Sequence, residues 1–149
     1  VQLKIEMPSD SSPISSTLKK TKQLVLYIED IPENVELVKQ VFNSRPHIEL
    51  LSAPNALSGI KMAEALIPDL ILMDIHLPGM GGLEAFKELR VVDATRDIPV
   101  IALTADAMDS DIKKALVMGF HYYITKPIDV PNFLETVDKV LVPNICSKI

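Results

Sequence analysis

The sequence predicts an α/β fold: an open, doubly wound parallel sheet with helices on both faces. Three observations predict it. Short aliphatic runs alternate along the chain with segments of helical period, and three of the five runs are nearly continuous in apolar residues. The core must also be mostly aliphatic, because the 149-residue chain is 48% hydrophobic but only 5% aromatic and has no tryptophan. Strands covered on both faces read as continuous Val/Ile/Leu runs, whereas half-exposed strands alternate. A chain of this length holds one domain, and a closed eight-stranded barrel would need far more residues.

The elements follow in order. VQLKIEMP (1–8) alternates like an edge strand, and PSDSSPISSTLKKTK (8–22), rich in Ser, Pro and Lys, reads as a linker. The folded domain is expected over 23–142, after an N-terminal segment of residues 1–22 and before a tail, 143–149. Its first strand is LVLYI (24–28), followed by a helix over 32–44 whose Leu37, Val38, Val41 and Phe42 form a stripe toward the sheet. Ile31 and Val35 lie off that stripe, four residues apart. IELLSA (48–53) leads to a helix over 55–66, and LILM (70–73) to a glycine-bearing loop and a helix over 82–92. VIAL (100–103) leads to a helix over 107–118, and HYYI (121–124) to one over 130–141. Tyr122 and Tyr123, consecutive on a strand, face opposite sides. Met62, Met73, Met80, Met108 and Met118 read as core or loop filler. Five βα units in a row require right-handed crossovers, which an open doubly wound sheet supplies.

Composition narrows the function. A net charge of -5 and a pI near 5.1 argue against a nucleic-acid binder, which would present a basic patch to the phosphate backbone. The single Cys146 excludes an internal disulfide and suits a reducing compartment, with cytoplasm the default. No apolar run is long enough to span a bilayer, so direct membrane insertion of this segment is not expected. His47, His76 and His121 are too scattered to suggest a metal-ligand cluster.

In an open α/β sheet the ligand crevice lies beyond the carboxyl ends of the strands. There the first strand runs into Glu29-Asp30, the third into Asp74, the fourth into Thr104 and the fifth into Lys126-Pro127. Any one of these could be a turn residue, a helix cap or a solvated charge. Three carboxylates converging on one crevice instead raise one another's pKa unless a cation compensates. Mg²⁺ suits the place, since it is hard, prefers oxygen ligands and is commonly held by one or two carboxylates, waters and a phosphate oxygen. Glu29, Asp30 and Asp74 then balance Mg²⁺ and Lys126. A phosphoryl group on Asp74 would add about one negative charge, which Thr104 and Lys126 are placed to answer. A carboxylate nucleophile with catalysis by positioning and charge neutralisation is established phosphoryl-transfer chemistry.

YIEDIPEN (27–34), LILMDIHLPGMGGLE (70–84), VIALTADA (100–107) and GFHYYITKP (119–127) resemble, in order and spacing, the four signature segments of response-regulator receiver domains. The resemblance covers about residues 23–142. It implies a flavodoxin-like (βα)₅ sandwich with strand order 2-1-3-4-5, a Mg²⁺ site of Glu29, Asp30, Asp74 and the backbone carbonyl of His76, and Asp74 as phosphoacceptor. It further implies Thr104 as switch hydroxyl, Tyr123 as switch aromatic, Lys126 as phosphate-binding ammonium and a cis Lys126-Pro127 bond. His76 and Asp106 are the positions that tune water attack on the acyl phosphate in such domains, and hence self-dephosphorylation. The implied partner is a histidine kinase or a histidine-containing phosphotransfer protein, docking on a patch at Ile31 and Val35. The edge-strand-like residues 1–8 with a linker behind them are similar to the end of a kinase ATP-binding domain, as in a hybrid histidine kinase with a C-terminal receiver; the other reading is a free-standing regulator.

Other readings fit less well. A Mg²⁺-dependent aspartyl-nucleophile phosphatase carries its nucleophile on the first strand and a second acid two residues later, whereas Asp74 follows the third strand and His76 holds that place. A flavodoxin needs a Ser/Thr/Gly-rich phosphate loop after the first strand, where this chain has acids and Pro32. A scaffold-only receiver would lack one of the chemical residues, and all are present.

Overall fold

A computed structural model describes residues 22–105 and 108–141. The expectations for residues 1–21, Asp106 and the tail after Leu141 lie outside the described residues. Five parallel strands form one sheet of order β2-β1-β3-β4-β5: β1 Gln23–Ile28, β2 Ile48–Ala53, β3 Leu70–Asp74, β4 Val100–Thr104 and β5 Tyr122–Thr125. This is the flavodoxin-like order. The helices are α1 Pro32–Val41, α2 Ala56–Leu66, α3 Gly82–Val91, α4 Asp109–Met118 and α5 Val130–Leu141. No helix among the described residues is long and apolar enough to cross a membrane.

Alternation along the central strands builds two core layers. Leu26, Ile28, Ile71, Met73, Val100 and Ala102 pack with Ala56, Ala63, Ala85, Phe86, Leu89 and Ala115, beneath α2, α3 and α4. Val25, Tyr27, Leu70, Leu72, Ile101 and Leu103 pack with Val38, Phe42, Phe133, Leu134 and Val137, beneath α1 and α5. Every residue of β3 and β4 is buried, which explains why their sequences are apolar up to the last residue, Asp74 and Thr104. The period of two also assigns the strand ends. Tyr27 and Glu29 share the α1/α5 side, Asp74 follows Leu70 and Leu72 on that side, and Lys126 follows Ile124. Thr104 follows Val100 and Ala102 on the other side, as does Tyr123, whose register partner is Ala102.

Local chemistry sets the boundaries. Pro32 stands at the start of α1, where its missing N–H costs nothing. The Asn55 side chain caps α2 by accepting from the Ser58 N–H at 2.9 Å. α4 stops at Gly119, whose φ of 120° few side chains tolerate.

Several bounds shift by a residue or two: β1 begins at Gln23, α2 at Ala56 and α4 at Asp109, β3 and β4 run on to Asp74 and Thr104, and α3 ends at Val91. Three further expectations need correction. The first helix ends at Val41 and tightens into a 3₁₀ turn, Phe42–Ser44. β5 begins at Tyr122, one residue later than expected; the His121 N–H still donates to the Val100 carbonyl at 2.9 Å, at the sheet margin. The stripe of α1 is also turned: Leu37 is 48% exposed, while Val35 is half-buried and packs with Val38 and Val41 against the core. Val35 therefore does not lie off the stripe, and Ile31, 45% exposed, stands without it at the surface. Of the tyrosine pair, Tyr122 is exposed and Tyr123 half-buried, so neither is a full core residue. Met73 is core, Met62, Met80 and Met118 pack beside it, and Met108 is exposed.

Candidate functional site

The parallel strands deliver Glu29, Asp74 and Lys126 to one crevice at their carboxyl ends. Glu29 is 2% exposed and Asp74 6% exposed, although both are charged residues. One oxygen each from Glu29, Asp30 and Asp74 lie within 4.8 Å of one another. Lys126 Nζ reaches Glu29 Oε1 at 2.8 Å and Asp74 Oδ2 at 3.4 Å. The Lys126-Pro127 bond is cis, and the Lys126 N–H donates to the Thr104 carbonyl at 2.7 Å.

Glu29 and Asp74 are each held by donors. Glu29 Oε1 accepts from the Tyr27 hydroxyl at 2.9 Å and from Asn34 Nδ2 at 3.3 Å, in addition to Lys126, while Oε2 accepts from the Ile31 N–H at 3.2 Å. Asp74 Oδ1 accepts from the His76 N–H at 2.9 Å. Burial pushes the Glu29 pKa up, but the Lys126 ammonium and the Tyr27 hydroxyl outweigh it, so Glu29 titrates below its usual value. Burial also pushes Asp74 up, and the nearby Glu29 charge adds to it; the His76 N–H and Lys126 only partly offset the rise. Lys126 Nζ lies closer to Glu29 than to Asp74, which leaves Asp74 the less compensated carboxylate of the pair. Burial and the Glu29 charge push the Tyr27 hydroxyl far above the ordinary range, so it stays a donor.

Three carboxylates facing one ammonium, two of them nearly sealed from water, form a donor set of hard oxygens that a divalent cation would neutralise. The set fits Mg²⁺ in ligand type and in charge. The backbone around Asp74 is also shaped for close packing: the Gly82 N–H donates to the Ile75 carbonyl at 2.9 Å, and Gly82 lies directly against the Asp74 and Ile75 backbone.

Thr104 is fully buried at the end of β4, one residue beyond Leu103, the register partner of Asp74. Tyr123 lines a pocket of about 90 Å³ with Ile75, His76 and Leu83, on the side of the sheet that Thr104 shares. Glu29, Asp30, Asp74 and Lys126 are thus brought together, with Thr104 on the neighbouring strand and Tyr123 behind it. Sequence reasoning missed Tyr27 and Asn34 as members of the site. Tyr27 stands two residues before Glu29 on the same strand, and that spacing is a signal that could have found it.

The family model for the response regulator receiver domain matches residues 25–138. The polar-differentiation response regulator DivK of Brucella anthropi is 41% identical over 117 residues, covering 78% of this chain and 94% of that protein. The DivK of Brucella ovis is 39% identical with the same coverage. Among solved structures, the receiver domain of a sensor histidine kinase from Pseudomonas aeruginosa, described with a magnesium ion coordinated in its active site cleft, is 28% identical with a TM-score of 0.73, covering 80% of this chain and 98% of that one. A response regulator from Desulfuromonas acetoxidans, 24% identical, shares the fold with a TM-score of 0.72 over 80% of this chain and 96% of its own.

Proposed function

The chain belongs to the response regulator receiver domain family, and from that premise we propose that it accepts a phosphoryl group from a phosphohistidine onto Asp74, with Mg²⁺, and changes conformation in response. The observation that carries this is the placing of Asp74, less compensated than Glu29, within 3.4 Å of Lys126 in a crevice of three acids. In the reaction a carboxylate oxygen of Asp74 forms a bond to phosphorus. The phosphorus–nitrogen bond of the donor breaks, and its electron pair returns to the imidazole, which takes up a proton. Bound Mg²⁺ would neutralise charge on the transferring phosphoryl oxygens. Glu29, Asp30, Asp74 and the His76 backbone carbonyl are the groups that would hold it.

This chain's own residues do the rest. The His76 N–H orients Asp74, and Lys126 moves from Glu29 toward the new phosphoryl oxygens, whose extra charge outcompetes a single carboxylate. Thr104 then draws toward the phosphoryl group and Tyr123 moves into the space behind it. This is a population shift between two arrangements. In Thr104→Ala the amide shifts of residues 108–118 on phosphorylation should shrink; shifts as large as in the parent would exclude the hydroxyl as coupling element.

The donor in this reading is a histidine kinase, carried on the same polypeptide in the hybrid arrangement, or a histidine-containing phosphotransfer protein; the compartment is the cytoplasm. Its helix docks at Ile31, with Val35 as the packed base beneath. The test of the whole reading is labelling by a small acyl or amido phosphate. Label should appear with Mg²⁺, fail with a chelator and be lost in Asp74→Asn; full labelling of the Asn variant would overturn it.

A further inference from the structure

Among the described residues, Tyr27 carries the one hydroxyl of its core layer that points at the acid crevice. Its ring is fully buried among Val25, Leu72, Val38 and the other apolar residues beneath α1 and α5. A phenylalanine would fill the same space without the cost of desolvating a hydroxyl, so the oxygen must be explained by its partner. That partner is Glu29 Oε1, at 2.9 Å.

The donors on Glu29 are unevenly shared. Among the described residues, Oε1 receives Tyr27, Lys126 and Asn34, whereas Oε2 receives only the Ile31 N–H. A carboxylate oxygen has about two lone-pair sites, so Oε1 is saturated while Oε2 keeps one open. A cation in the crevice would therefore be met by Oε2 alone. Glutamate is longer than aspartate by one methylene and has one more torsion to fix, which costs conformational entropy. Tyr27, two residues earlier on the same strand face, supplies a fixed donor that holds that torsion. Lys126 cannot do this throughout the reaction, because it has to follow the phosphoryl group.

We infer that Tyr27 is a positioning residue for the metal site: its buried hydroxyl ties down Glu29 Oε1 and leaves Oε2 turned to the cation. The inference rests on the proposed Mg²⁺ reading, and it concerns affinity for the ion rather than the chemical step.

The experiment is Mg²⁺ titration by calorimetry on the full chain, in the parent, Tyr27→Phe, Glu29→Asp and the double variant, beside labelling by a small phosphodonor. Tyr27→Phe should weaken Mg²⁺ binding about tenfold, the low end for loss of a group that orients a metal ligand, since Asn34 and the Ile31 N–H remain. The half-saturating Mg²⁺ for labelling should rise in parallel, while the rate at saturating Mg²⁺ falls far less than the affinity and the metal-free melting temperature falls by a few degrees, as loss of one buried hydrogen bond to a carboxylate requires. The shorter carboxylate introduced by Glu29→Asp would stand back from the Tyr27 hydroxyl, so adding Tyr27→Phe there should change affinity less than about twofold. Equal binding by parent and Tyr27→Phe would overturn the inference. An equal loss in both backgrounds would also overturn it, by showing that Tyr27 acts through the fold. A parent that binds no Mg²⁺ would overturn the metal reading itself, and the inference with it.

Discussion

Gly82→Ala should disturb Asp74, the proposed phosphoacceptor, by pushing on its backbone. A Cβ at position 82 would lie 2.6 Å from the Asp74 carbonyl oxygen, 2.7 Å from the Ile75 Cα and 3.2 Å from the Asp74 carbonyl carbon. All three are main-chain atoms, so no side chain can rotate away. Ordinary carbon contacts need about 3.5 Å or more, so either the first turn of α3 or the end of β3 must move by roughly 1 Å. Glycine to alanine within a helix normally gains up to about 1 kcal/mol. Overpacking costs about 1–3 kcal/mol, and the upper part of that range applies because the strand end is hydrogen-bonded on both sides. The net expectation is a loss of about 1–2 kcal/mol, read as a lower urea midpoint at unchanged m-value. On the proposed assignment of Asp74 as nucleophile, labelling should fall further than stability alone explains, by up to about a hundredfold, because a shift near 1 Å misplaces the attacking carboxylate. Gly81→Ala is the control: its nearest neighbour is the Ile75 carbonyl oxygen at 3.6 Å and its φ is -74°, so nothing is pushed; as the N-cap of α3 it should lose at most about 1 kcal/mol and leave labelling near the parent's. If Gly82→Ala matches Gly81→Ala in urea midpoint and labelling rate, the close approach of α3 does not fix Asp74.

Lys126→Met removes the ammonium between Glu29 and Asp74; breaking such buried pairs costs about 3–5 kcal/mol, and the 19% exposure of Lys126 reduces this to about 2 kcal/mol in metal-free urea unfolding. A midpoint equal to the parent's would show that the two carboxylates do not depend on it. Ile31→Ser should slow phosphoryl transfer from a protein donor and leave small-donor labelling nearly unchanged; equal slowing of both would place Ile31 in support of the site rather than of docking. Burial, with the nearby Arg90 charge, lowers the His121 pKa from 6.5. The unfolded chain then binds a proton that the folded chain resists, so stability falls as pH drops through 6.5 toward the lower folded value. His121→Gln should flatten that part of the melting-temperature profile, and an unchanged slope between about pH 7.5 and 5 would contradict it.

The sheet was legible because β3 and β4 bury every residue, so that a polar side chain enters each only at its last position, Asp74 and Thr104. Period-two alternation then carries the ends of β1, β3 and β5 to one crevice, so Glu29, Asp74 and Lys126 could be grouped before any coordinates. α1 was harder to phase. Apolar residues occupy both 37 and 38, so two stripes about 100° apart fit the sequence, and packing beside Phe42 and α5 selects the one through Val35 and Val38. Tyr27 looked like one more core residue in an apolar run. Its ring is core, and only the direction of its hydroxyl, which sequence does not record, makes it part of the site. The unequal loading of the two Glu29 oxygens is likewise a property of side-chain rotamers rather than of residue spacing.

Trapping the acyl phosphate tests the central claim most directly. Borohydride cleaves a carboxyl–phosphate bond and reduces the carboxyl carbon to an alcohol, turning a phosphorylated aspartate into homoserine at that position. After incubation with a phosphodonor and Mg²⁺, peptide mapping should find homoserine at position 74 alone, and none when a chelator is present. Homoserine at another aspartate, or phosphate retained on a hydroxyl or histidine with Asp74 intact, would contradict the assignment of Asp74 as the phosphoacceptor.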